Sequence, residues 1–133
     1  TTIMIDLTGL QSTAAGDIIG KNGEGIAYIA QVTTANQGVV FGVSMSCYET
    51  PAGGDPDINL HSADEGTGVE DTAISDLTET LIINGGDAAA GTRTAGGTIA
   101  ADQYLYLTAG ATTDAAYTAG RLVIEILGYD VAS

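Results

Sequence analysis

Positive charge is what this chain most lacks. Of its 133 residues only Lys21, Arg93 and Arg121 are basic, against seventeen Asp and Glu, for a formal net charge of −14. Nucleic acids and anionic lipid surfaces are bound chiefly through Lys and Arg, so neither a nucleic-acid nor a membrane partner is expected. Tryptophan is absent, and phenylalanine and histidine each occur once, which leaves a sugar cleft or an acid–base centre short of its usual side chains. The single cysteine, Cys47, has no intrachain partner and sits in the apolar run Val43-Ser-Met-Ser-Cys-Tyr48, the setting of a buried, inert thiol. No apolar run reaches membrane-spanning length. No secretory or transit pattern opens the chain, and Thr1-Thr2-Ile3-Met4 fits cytosolic synthesis followed by loss of an initiator Met, or equally the removal of a pro-segment.

What is present is Thr, Ala, Gly, Ile and Val in short alternating runs, with nineteen glycines as punctuation. No window sustains a helical period, so residues 1–133 read as one all-β domain, an antiparallel β-sandwich. Ile3, Ile5 and Leu7 alternate with polar neighbours in a first strand. Residues 26–34 and 39–49 make two further strands, close enough in sequence for a hairpin, and the odd positions of the second put Phe41, Val43, Met45 and Cys47 in the core. Residues 78–84 form another strand. Shorter ones are expected near 58–60, 72–77 and 98–101, and 87–97 reads as a flexible Ala/Gly loop holding Arg93. The runs 103–110 and 120–130 form the C-terminal hairpin, with Leu105, Leu107, Leu122, Ile124 and Ile126 on core faces.

Residues 49–79 carry nine of the seventeen acids and no Lys or Arg, so they are expected to bury little and to run over the surface. Within them Asp55-Pro-Asp57-Ile-Asn59 has the oxygen spacing of the front of a calcium loop. It departs from an EF-hand at Leu60 and Gly66, and the plain expectation is a solvated acidic loop; a calcium ion at Asp55, Asp57 and Asn59, with Asp64 or Glu65, is the one metal the pattern admits. No other cofactor is implied. His61-Ser62 followed by Asp64-Glu65 supplies triad residue types without a nucleophile signature, and a lone loop histidine is expected to be exposed. The chain therefore reads as non-catalytic. Tyr117 and Tyr129 fall outside strand centres, Tyr117 being the better exposed contact. They leave open an alternative, a carbohydrate-binding or adhesion module.

The run Gln103-Tyr-Leu-Tyr-Leu-Thr-Ala-Gly110 and the later Tyr117-Thr-Ala-Gly-Arg-Leu-Val-Ile-Glu-Ile-Leu-Gly-Tyr-Asp130 together resemble the last hairpin of small structural proteins that decorate or cement the capsids of tailed bacteriophages. The resemblance covers about the last thirty residues and carries no binding motif. It implies a jelly-roll sandwich, a homotrimer on the virion exterior, and the major capsid protein as partner. Contacts with the capsid or a neighbouring subunit are then expected from the N-terminal strand and the loops at 11–25 and 87–97. The candidate residues are Ile3, Ile5, Lys21, Arg93, Tyr117 and Arg121.

Overall fold

Glycine-bounded β-rich runs become eleven strands in the computed structural model, which describes residues 1–130. Residues 131–133, the end of the expected domain, lie outside the described residues. The first half of the chain contributes β1 (Thr2–Asp6), β2 (Leu10–Ser12), β3 (Gly20–Lys21), β4 (Ala30–Gln31), the one-turn helix α1 (Thr34–Gln37), β5 (Val39–Ala52) and β6 (Asp57–Ala63). The second half contributes β7 (Glu79–Asp87), β8 (Arg93–Gly96), β9 (Tyr104–Ala109), β10 (Ala115–Ala116) and β11 (Ala119–Tyr129).

Two four-stranded antiparallel sheets, ordered β1-β11-β5-β8 and β4-β9-β6-β7, form the sandwich, and a three-stranded patch, β10-β2-β3, accompanies them. One hydrophobic core lies between the layers. The first sheet sends in Val43, Met45, Cys47, Leu122, Ile124 and Ile126, and the second Ile58, Leu60, Ile83, Leu105 and Leu107. Each set obeys the period of two that a half-buried strand requires.

The C-terminal hairpin is not formed. β9 pairs with β6 and β4, whereas β11 pairs with β1 and β5, so the two runs lie in opposite layers. Alternation gave each run a core face but could not choose its neighbour. The connection crosses between the sheets, anchored by buried Tyr117, and Gly120 turns it at φ 136°. The hairpin expected between 26–34 and 39–49 fails likewise. Only Ala30–Gln31 is a strand in the first run, and α1, capped by Thr33 Oγ1 on the Asn36 amide, carries the chain to the other sheet. Gly38 (φ 67°) and Gly128 allow this crossing: a Cβ on either would collide with a carbonyl oxygen, of Tyr129 and of Gln37 respectively.

The acidic segment is no surface excursion. It holds β6, an interior strand of its sheet, with Ile58, Leu60, Ser62 and Ala63 fully buried. The short strand expected near 58–60 is present, longer than expected and interior to its sheet. Residues 93–96 of the expected loop pair with β5. Residues 74–76 form a 3-10 turn in place of a strand, and 98–101 form no strand although Ile99 is buried.

Phe41 does not enter the core; it is 61% exposed, while Val40 is buried. In the β5–β11 ladder Leu127 faces Gly42 and Gly128 faces Val40, so Phe41 is the extra residue of a bulge and alternation changes phase there. Tyr48 occupies the same kind of position between Cys47, opposite Leu122, and Glu49, opposite Arg121. Changing Leu105→Ala is expected to cost about 2–5 kcal/mol, whereas Phe41→Ser should change stability by only about 0.5 kcal/mol. Urea unfolding of both variants checks this, and a large loss from Phe41→Ser would contradict the bulge.

Candidate docking face and buried polar clusters

Asp55 is a buried clasp, 1% exposed. Its Oδ1 accepts from the Asp57 amide at 2.9 Å and its Oδ2 from the Ala111 amide at 2.9 Å. Its own amide donates to Ser12 Oγ, and its carbonyl accepts the Tyr117 hydroxyl at 2.5 Å. Amide hydrogens aimed at both oxygens satisfy an anion without a metal. Asn59 turns its Oδ1 to the Gly85 amide, and Asp57 Oδ1 lies buried without a hydrogen bond. Burial, with Asp55 and Asp87 nearby, pushes the Asp57 carboxyl up. Among the described residues no three His, Cys, Asp or Glu side chains gather into a metal-holding group. The expected solvated loop is thus replaced, at Asp55, by a structural tie between the turn before β6 and the segment before β11. Tyr117, expected to be an exposed contact, is 2% exposed because its hydroxyl belongs to that tie.

His61 is also buried, because it stands on β6 and not in a loop. Its Nδ1 lies 2.9 Å from Thr108 Oγ1, and its Nε2 lies 3.5 Å from Glu79 Oε2. A hydroxyl, an imidazole and a carboxylate therefore stand in a row. Thr108 is completely buried, however, so the hydroxyl offers a substrate no approach. Ser62 takes no part: its Oγ donates to Gln103 Oε1, and Gln103 Nε2 donates to Asp64. Burial lowers the His61 pKa below its ordinary value, with Glu79 acting in the opposite sense.

The two outer faces differ. Over the second sheet lie residues 16–29 and 64–77, which put Ile18 and Ile74 against Tyr106. The Tyr106 hydroxyl donates to the Glu65 carbonyl and accepts from the Gly68 amide. Over the first sheet the large side chains of β1, β5 and β11 stay open: Met4, Phe41, Tyr48, Leu127 and Tyr129 are all exposed, with the Phe41 and Tyr129 rings 6.2 Å apart. Arg93 and Arg121 lie exposed on the same sheet. Phe41, Leu127 and Tyr129 are neighbours at one end of the sheet, and Tyr48 stands at the other, near Arg121.

Ile3 and Ile5 point inward, half-buried. They line a groove of about 430 Å³ between β1 and residues 25–29, with Lys21 at its edge in an exposed ion pair with Glu24. The alternation that put Leu122, Ile124 and Ile126 in the core leaves Leu127 on the outer face, where it is found, but it placed Phe41 wrongly in the core. Two glycines within β-runs, Gly42 and Gly128, were the available signal of the bulge. No family model, curated protein or solved structure matches this chain.

Tyr117→Phe removes the donor to a buried carbonyl and should cost about 1–3 kcal/mol by urea unfolding; a loss near zero would show that the tie is not holding. For His61 the folded pKa is the lower one, so as pH falls below about 6.5 the unfolded chain takes up the proton first and stability declines. Asp57 and Glu70, both raised by burial, contribute with the opposite sign over a more acidic range. Comparing urea midpoints of the wild type and His61→Gln at about pH 7.5 and about pH 5.5 isolates the histidine. The variant should lose less on acidification, and an unchanged pH dependence would refute the assignment.

Proposed function

We propose that this chain is a non-catalytic structural protein of a tailed-phage virion, which binds the outside of the capsid and stabilises the shell as a decoration or cement protein. The observation that carries the reading is the exposure of Met4, Phe41, Tyr48, Leu127 and Tyr129 on the first sheet, on a sandwich in which Asp55 and Tyr117 are spent on an internal tie. The resemblance of residues 103–130 to capsid decoration proteins supplies the partner, the major capsid protein, together with the jelly-roll topology and the homotrimeric state. A domain of this kind works by adhesion: repeated burial of the same face across capsomer boundaries favours the assembled shell by mass action. The carbohydrate-binding reading loses one of its two aromatic contacts, since Tyr117 is enclosed.

The test is addition of the purified protein to shells assembled from the major capsid protein of the same viral genome. It should co-sediment at a fixed ratio to shell subunits and raise their melting temperature. At free protein about a hundredfold above Kd the shell gains about 2.7 kcal/mol per site. Absence of co-sedimentation at micromolar concentration would remove the reading.

A further inference from the structure

Resting on the decoration reading, we infer that the outer face of the first sheet is the docking surface, and that its occupant is a shell-protein surface with an apolar centre and a carboxylate placed opposite Arg93. Three observations select this face. At one end of β5 and β11 a bulge turns Phe41 outward beside Leu127 and Tyr129, and at the other end a second bulge turns Tyr48 outward near Arg121. A groove of about 860 Å³, lined by residues of α1 together with Phe41 and Leu127, adjoins the first of these ends and can receive a protruding side chain. The third is charge. Two of the three cations of a chain with net charge −14 stand on this sheet; of its seventeen acids Asp6, Glu49 and Glu125 stand on the strands of the sheet and Asp130 lines the adjoining groove.

Neither arginine is in an ion pair with a described residue; among those residues the one Lys or Arg pair is Lys21 with Glu24. Across the strands from Arg121 stand Asp6 and Glu49, but Asp6 Oδ1 already accepts the Thr8 amide and Glu49 Oε1 the Gly120 amide. Arg93 faces Ser46 and has no acid opposite it. Arg121 still acts through space on the Asp6 carboxyl, which the hydrogen bonds from Thr8 and, after them, the Arg121 charge hold below the usual carboxylate range. It is therefore the Arg93 guanidinium that is left to a partner, and a bidentate carboxylate is its best geometric match. Phosphate chains would also suit two arginines, but the −14 field around them opposes a polyanion. A carboxylate set in an apolar surface can meet Arg93 while burying Phe41, Leu127 and Tyr129.

Binding to the same assembled shells, measured by co-sedimentation, tests the inference. Arg93→Glu and the double change Phe41→Ser with Leu127→Ser should each weaken binding by about tenfold or more. Lys21→Glu alters net charge as much as Arg93→Glu but lies off the face, and should change binding by less than about twofold. Carbodiimide treatment of Arg93→Lys on shells should join position 93 to an Asp or Glu of the shell protein. If the wild type binds and Arg93→Glu binds equally well, the face is wrong while the decoration reading stands. Cross-links from position 93 to another copy of this chain would overturn the occupant in favour of self-association. If the wild type fails to bind shells, both fall together.

Discussion

The long antiparallel pairing of β5 with β11 is the constraint on which the rest depends. These are the two longest strands, they occupy the centre of the first sheet, and they supply Val43, Met45, Cys47, Leu122, Ile124 and Ile126 to the core. Irregularities interrupt their ladder near both ends. Between them alternation sends one face into the core, and Ser44, Ser46 and Val123 on the other face are buried as well; at the interruptions an extra residue is expelled, and two of the expelled residues are aromatic. The geometry that closes the core thus also builds the apolar outer surface, because a bulge shifts the phase of every side chain beyond it.

Buried polar groups divide the labour differently. Asp55, Tyr117 and Ser12 join three distant segments through hydrogen bonds that are satisfied inside the protein, and His61, Thr108 and Glu79 make a row within the second sheet. Chemistry-bearing side chains are consumed in holding loops and strands together, and burial keeps a solvent-borne substrate from the Thr108 hydroxyl. On the outside of the first sheet Met4, Phe41, Tyr48, Leu127 and Tyr129 stay exposed on a strongly acidic body.

Much of the architecture was legible from residues alone. Leu105, Leu107, Leu122, Ile124 and Ile126 enter the core as their alternation requires, and Cys47 is buried. The error at Phe41 came from extending one phase through Gly42, where the ladder takes in an additional residue. The error at His61 came from ending the strand at Leu60 under the weight of the acids of 49–79, although the three buried apolar residues Ile58, Leu60 and Ala63 suffice for an interior strand that runs through His61. Asp55 was read as a solvated or calcium-binding acid because its amide partners lie at positions 57 and 111, and the second of these is remote in sequence.

Composition and period therefore determined that this chain is an all-β sandwich and which residues can face its core, since both follow from local alternation. Strand neighbours, the placing of β9 and β11 in opposite layers, the bulges that expose Phe41 and Tyr48, and the burial of Asp55, His61 and Tyr117 were decided only in three dimensions. They depend on which distant backbone groups meet, and a pattern with a period of two residues carries no information about its partner.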